Sequence, residues 1–293
     1  MTQLPDNFLL SYTGFDANGN HFIDVETESG IDRHAILDRE LSLQFDLSKR
    51  YCTGWVDFDQ MKQKPCTDHA IVDSKYEQCV KCRNLTGFNP AFYNATTVSK
   101  QQEAINQRPH FVYLVYFSPG LIKVGISQES RGIRRILEQG ARLAIKLETF
   151  PSALVARQYE ANIAKISGII EHVTSSKKLA ALKTPLDEPA ATSELMAAKD
   201  RIETSIGVKF SSAELITTSG YFKSDNLDLG LLSIIKDQPF LIGKTRAIIG
   251  STVIIEHDDR LLAYNLKDYI GYHASPADNS TSIELPSEQM MLF

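Results

Sequence analysis

The chain has 293 residues, room for two or three domains, and its apolar and charged fractions are those of an ordinary globular protein. No apolar run is long enough to span a membrane, and no basic stretch precedes a hydrophobic one near the N-terminus, so a membrane span and a secretory signal are excluded and a cytoplasmic protein is expected. The net charge of −5 hides a basic island: residues 108–183 carry 12 Lys/Arg against 5 Asp/Glu, while residues 1–107 carry 10 against 15 and residues 184–293 carry 9 against 16.

The first fifty residues alternate apolar and polar positions, as in "HFIDVETES" and "SLQFDLSKR", which predicts antiparallel strands. Between them, "FDANGNHFID" has the Asp16, Asn18 and Asn20 of a calcium loop. The glycine such a loop requires is His21 here, so Asn18-Gly19 reads as a hairpin turn instead.

Residues 52–94 hold all four cysteines and little regular patterning. Thirteen residues separate Cys52 from Cys66, twelve separate Cys66 from Cys79, and two separate Cys79 from Cys82. The close pair has zinc-knuckle spacing, and two more thiolates complete a tetrahedral site. The segment is poor in core-forming residues, so a metal would supply folding energy it lacks. A redox pair at Cys79 and Cys82, or buried free thiols, are the competing readings. His69 is a possible substitute ligand that the quartet does not need.

Residues 95–108 read as a short polar helix or linker. From 110, "HFVYLVYFSPGLIKVGIS" is two aromatic and β-branched strands about a turn. "SRGIRRILEQGA" follows as a helix with Ile133, Ile136 and Leu137 on one face, Arg131, Arg134, Arg135 and Glu138 largely off it, and Gly140 as its stop. "FPSALVARQYEANIAKISGII" predicts a second helix capped by Ser152, with Ala156, Tyr159, Ile163, Ile166 and Ile170 as its buried stripe. Arg157 and Glu160 lie off that stripe, one turn apart. "KTPLDEPAATSE" reads as a linker, 191–205 as a helix, and the remainder as strands, with "RAIIGSTVIIEHDDRLLAYNL" the clearest hairpin. "LIGKT" at 241–245 lacks the first glycine of a phosphate loop.

The order of parts from 110 resembles the GIY-YIG nuclease superfamily. Its counterparts here are "FVY" at 111–113, "KVG" at 123–125, Arg131 or Arg135, and Glu160. The resemblance implies that Glu160 holds Mg²⁺ or Mn²⁺, that arginine grips the scissile phosphate, and that Tyr113, with Lys123 or Tyr116, handles water. Two positions depart from the pattern: Phe111 stands for its first glycine and Lys123 for its second tyrosine. Lys123 then serves as a base only if its pKa is lowered, or else binds phosphate as a point charge. A plain Arg157–Glu160 surface pair and a solvated arginine face are the alternatives. A closer likeness, through "CTG", "PC", "QCVKC", "RGIRRILEQGA" and "ALVARQYE", is to the bacterial family called domain of unknown function 2797, which brings no activity with it.

The predicted class is α+β in three parts: a β-rich region with a zinc module over 1–107, a GIY-YIG-like α/β domain over 108–183, and a β-rich region over 184–293. The expected function is a metal-dependent DNA endonuclease in repair or genome defence. Nucleic acid would lie on Arg131, Arg134, Arg135 and Arg142, and a zinc-containing DNA or RNA binder without cleavage is the second reading. The chain end "QMMLF" matches short peptides that dock on the bacterial sliding clamp, with Gln289, Leu292 and Phe293 as anchors and "ASPADNSTSIELPSE" as their tether.

Overall fold

A computed structural model describes residues 3–57, 62–73, 75–88 and 98–278. The chain begins with strands β1 (Phe8–Phe15), β2 (His21–Thr27), β3 (Gly30–His34) and β4 (Glu40–Asp46), then the short hairpin β5 (Trp55–Asp57) and β6 (Lys62–Lys64). Helices α1 (Val80–Thr86) and α2 (Lys100–Asn106) lead to β7 (His110–Ser118), β8 (Leu121–Gln128), α3 (Ile133–Gln139), β9 (Leu143–Phe150), α4 (Ala153–Ile163) and β10 (Ile169–Ile170). Helices α5 (Ser175–Leu182) and α6 (Glu188–Ile206), strand β11 (Glu214–Thr217) and helix α7 (Ser219–Phe222) follow. Strands β12 (Ser233–Ile234), β13 (Phe240–Ile249), β14 (Thr252–His257), β15 (Arg260–Asn265) and β16 (His273–Pro276) complete the described chain. The protein is thus mixed α and β, with β-rich ends.

Two sheets organise these elements. Nine strands run in the order β12-β15-β14-β13-β4-β16-β1-β2-β3, and five in the order β10-β8-β7-β9-β11. The sheets cross the boundaries drawn on the sequence. β4 pairs with β13 and β16, so both ends of the chain build one sheet. Beyond residue 183, α6 and β11 join the five-stranded sheet: β11 pairs with β9, and Ala191, Leu195, Ala198 and Ile202 enter the same core as Val112 and Leu114.

The apolar clusters show four layers. One face of the large sheet has its own core, from Phe8 and Val25 through Phe45 to Tyr264. Its other face, at Phe15, Ala247, Ile249 and Ala263, packs on Leu137 of α3, Leu179 and Leu182 of α5 and Phe222 of α7. The far side of α3 and α5 covers Tyr113, Val115 and Phe117 of the small sheet through Ile136 and Ala181. Helices α4 and α6 close the opposite face of that sheet. The sheets meet where the turn after α3 touches the β13–β14 turn. A Cβ on Gly250 would come within 2.9 Å of Gly140 Cα, and Gly250 holds φ +63°.

Several local predictions hold for visible reasons. Asp16 Oδ1 accepts from the backbone N–H groups of Asn18 and Asn20 at 2.9 Å, which closes the β1–β2 turn with the carboxylate a calcium loop would use. Ser152 caps α4, Ser99 caps α2, and Gly140 ends α3 in the left-handed conformation.

Two predictions need correction. The helix holding Glu160 ends at Ile163 rather than running to Ile170. Ile166 lies in the following turn, Gly168 takes φ +83°, and Ile170 belongs to β10. The segment read as a linker starts the longest helix instead. Asp187 caps α6 by accepting from Ala190 N–H at 3.0 Å, with proline in the first turn where its missing donor costs nothing.

Candidate functional site

The first candidate lies on the face of the small sheet under α3 and α5. Tyr113 of β7 faces Gly125 of β8 directly across the ladder. A Cβ at Gly125 would sit 2.5 Å from Tyr113 Oη and 2.6 Å from its Cζ, so the tyrosine ring occupies the space the glycine leaves. The Tyr113 residue is 0% exposed; burial raises its pKa, and the neighbouring Arg135 charge opposes that shift. Beside it, Arg135 of α3 has a sealed Nε without a partner, while 31% of its side chain reaches solvent. The outer end of this guanidinium faces a carboxylate, with Nη1 4.0 Å from Glu138 Oε2.

Lys123 is Val115's cross-strand partner and only 8% exposed. Its Nζ lies 5.7 Å from the Tyr113 ring centroid and donates to Val124 O at 3.2 Å. Among the described residues no carboxylate lies in ion-pair contact with it. Burial, followed by the Arg135 charge, pulls its pKa down to about 8, against the opposing pull of Glu160 and Glu171.

Glu160 comes from α4, in the layer beyond the sheet. Strand β10 covers the edge of β8 only at Ile122 and Lys123, and the Glu160 charge is felt at Lys123, Tyr113 and Arg135. Glu160 is 7% exposed. Its Oε2 accepts from Arg157 Nη1, which also lies 3.3 Å from Glu171 Oε1. The expected Arg157–Glu160 pair therefore exists, but it is a buried one and includes a second carboxylate. Burial raises the Glu160 pKa, and Arg157 opposes that shift. Oε1 of Glu160 takes part in none of the described hydrogen bonds.

The other predicted residues divide. Arg131 borders the site but is held by Glu138, and Arg134 donates to the carbonyls of Ser130 at 2.7 Å and Arg131 at 3.2 Å. Tyr116 lies on the opposite face, in the core with Leu114 and Leu195, where Glu194 and Arg142 are its charged neighbours. Strand alternation makes this legible in the sequence, because the pleat turns residues three apart to opposite faces. Arg142 is also elsewhere: its Nη1 donates to Ala181 O at 3.4 Å and to Thr184 O, where it ties down the end of α5. Sequence reasoning missed Glu171 and Lys178. Both sit among ordinary charged surface residues in sequence, and only the fold turns them toward this place.

The second candidate is the cysteine cluster. The four sulfurs of Cys52, Cys66, Cys79 and Cys82 all lie within 4.8 Å of one another. Cys52 Sγ accepts from Gly54 N–H at 3.4 Å and Cys79 N–H at 3.1 Å, and Cys79 Sγ caps α1 by accepting from Cys82 N–H at 3.5 Å. The Cys82 N–H draws the Cys79 pKa down, while burial pushes Cys52 up to about 11 and Cys82 up as well. A tetrahedral thiolate site with bonds of about 2.3 Å places its sulfurs about 3.8 Å apart, so this donor set can hold a metal ion. His69 is not part of it: its ring is exposed and lies 3.8 Å from Glu26.

The family model described as protein of unknown function (DUF2797) matches residues 88–274. The chain belongs to this family. The match takes in the whole small sheet and the strands from β12 to near the end of β16, and it begins after the last cysteine. No curated protein and no solved structure matches.

Proposed function

We propose that the protein is a metal-dependent DNA endonuclease of GIY-YIG type. The observation that carries this reading is the grouping of Tyr113, Lys123 and Arg135 on one face of the small sheet, with the Glu160 charge reaching them from the layer beyond. Arg135, with 31% of its side chain exposed beside Glu138, presents a guanidinium of the kind that grips a phosphate. Tyr113, sealed from solvent, lies beside Arg135 rather than meeting water. Lys123, with its amine near pKa 8, accepts the proton of the attacking water as the oxygen bonds to phosphorus and the opposite P–O bond breaks. Glu160, whose Oε1 has no hydrogen bond among the described residues, and Glu171 offer the hard oxygen donors that suit Mg²⁺ or Mn²⁺. When bound, such an ion would polarise the phosphate and lower the pKa of its water.

The cysteine quartet is read as a structural zinc site, because its sulfurs are gathered and mostly buried in a segment with little other core. Recruitment to DNA in repair or genome defence would run through the sliding clamp. Gln289, Leu292 and Phe293, on which that idea rests, lie outside the described residues. Calorimetry of the clamp against the full chain and a chain lacking 289–293 tests it, with micromolar binding, roughly −8 kcal/mol, expected only for the full chain.

A second reading, a zinc-containing DNA or RNA binder without cleavage, is favoured by Lys123 at the tyrosine position and by Arg157 on Glu160. One assay decides between them. Single-stranded, duplex and branched DNA are incubated with protein and Mg²⁺ or Mn²⁺, alongside Glu160→Ala. Cleavage lost in the variant supports the nuclease. Binding without cleavage under either metal rejects it.

A further inference from the structure

Part of the basic island is neutralised where it folds. Lys146 lies 2.7 Å from Glu129, Arg131 is held by Glu138, and Arg157 is shared by Glu160 and Glu171. Two half-buried or buried amines are not neutralised: Lys123, described above, and Lys178 of α5. Lys178 Nζ donates to Gln139 O at 2.7 Å and lies 5.2 Å from the Phe117 ring centroid, with no carboxylate in contact among the described residues.

Lys178 also lines a cleft of about 50 Å³ where the two sheets meet, at the Gly140–Gly250 contact. Lys267, exposed at the end of β15, lines the same cleft, as do Ser175 and Thr252. The one carboxylate there, Glu138, is already engaged by Arg131. Lys178 feels the charges of Lys123, Lys267 and Arg135 together, so it stands between the cleft and the site at Tyr113. Like charges gathered in a partly buried place repel and are costly, unless an anion supplies the missing counter-charge.

We propose that this cleft is a second phosphate subsite, where Lys178 and Lys267 hold the backbone of a nucleic acid strand beside the phosphate seated at Lys123 and Arg135. The proposal rests on the phosphodiester reading for its ligand class, but it concerns binding alone. Hydroxyls at Ser175 and Thr252 supply neutral donors to the same phosphate. The strand would then lie along the seam between the large sheet and α5, and both sheets would contribute to one binding surface.

The test uses the full chain carrying Glu160→Ala, without divalent ion, so that cleavage plays no part. Affinity for a fluorescent single-stranded oligonucleotide is measured across salt concentration, with and without Lys267→Glu and Lys178→Gln. Each lysine that neutralises one phosphate should reduce the slope of log affinity against log salt by about 0.7. Lys267 is exposed, so Lys267→Glu reports on binding even where Lys178→Gln disturbs α5. Protection of Lys178 from acetylation at pH 8 by the oligonucleotide is the companion measurement. An unchanged slope in Lys267→Glu together with an unprotected Lys178 overturns the proposal. Equal protection by inorganic phosphate with no change in slope also overturns it, in favour of a small-anion site. If these variants weaken binding while the unmodified chain cleaves nothing, the subsite stands and the nuclease reading falls.

Discussion

At the scale of single residues, Lys123 ties the fold to the chemistry. An amine with an ordinary pKa of 10.5 is held near 8, chiefly because β8 buries it beside Arg135. If it accepts the proton of water, cleavage rises with pH up to about 8 and levels off above, as the neutral amine becomes the main form. Lys123→Gln should then lose about a hundredfold or more in rate, together with the inflection. An inflection that survives in the variant would assign it to another group. Stability carries the same signature with a definite sign. Between pH 8 and 10.5 the unfolded chain binds more protons than the folded one, so stability rises with pH across that window. Lys123→Met should therefore stabilise the protein at pH 7, by at most about 3 kcal/mol, with the gain shrinking toward pH 10.5. Denaturant midpoints at several pH values measure it. The neighbouring Gly125 is a packing matter. Gly125→Ala pushes a methyl against Tyr113 and should cost about 1–3 kcal/mol, with loss of cleavage if Tyr113 holds Arg135 in place.

At the scale of elements, the cysteine module shows how spacing and fold cooperate. The close pair Cys79 and Cys82 is readable in sequence because Cys79 caps the helix that carries Cys82. Cys52 and Cys66 are brought to it by the β5–β6 hairpin, whose strands pair over only three residues. A hairpin that short has little stability of its own. Protein purified without added zinc should contain one ion per chain. Cys66→Ser or prolonged chelation should release it and lower the melting temperature. Retention of the full melting temperature without metal, with four titratable thiols, would refute the structural zinc. The α6 boundary went the other way. Pro185, Pro189 and two acidic residues read as a linker, although Asp187 and a first-turn proline are also a helix start. The buried stripe from Ala191 to Ile202 decides for the helix.

At the scale of the whole molecule, the chain ends are structural before they are anything else. β16 sits between β4 and β1, so the last described strand holds two N-terminal strands together. Removing residues 272–293 takes out that strand and should abolish cooperative unfolding. If residues 279–293 serve a partner, removing them should leave the melting temperature unchanged. A shared melting loss in both truncations, followed by calorimetry or circular dichroism, would show that the tail packs on its own chain rather than serving a partner.

Much of the local structure was legible without coordinates. Alternation marked β2 and β4, the Ser-Pro-Gly turn marked the β7–β8 hairpin, and Ser152 and Gly140 marked helix ends, since caps and turns depend on residues close in sequence. The cysteine quartet was legible for the same reason of chemistry and spacing. Of the candidate site, Tyr113, Lys123 and Arg135 lie together on one face of the small sheet with Glu160 in the layer beyond, whereas Tyr116 and Arg142 lie elsewhere. The β7–β8 ladder is regular from Tyr113 to Tyr116, so alternation alone puts the two tyrosines on opposite faces. Sequence gave no hint that both ends of the chain share one sheet, or that α3 and α5 lie between two sheets. The shared sheet arises from pairings such as Gly243 with Leu41 and Ala274 with Phe45, and the place of α3 and α5 from packing on strands of both parts of the chain, where no local pattern reaches. The same long-range packing turns Lys178 and Lys267 toward one cleft, so the charge of the basic island was set by composition and its place on the molecule by the tertiary fold.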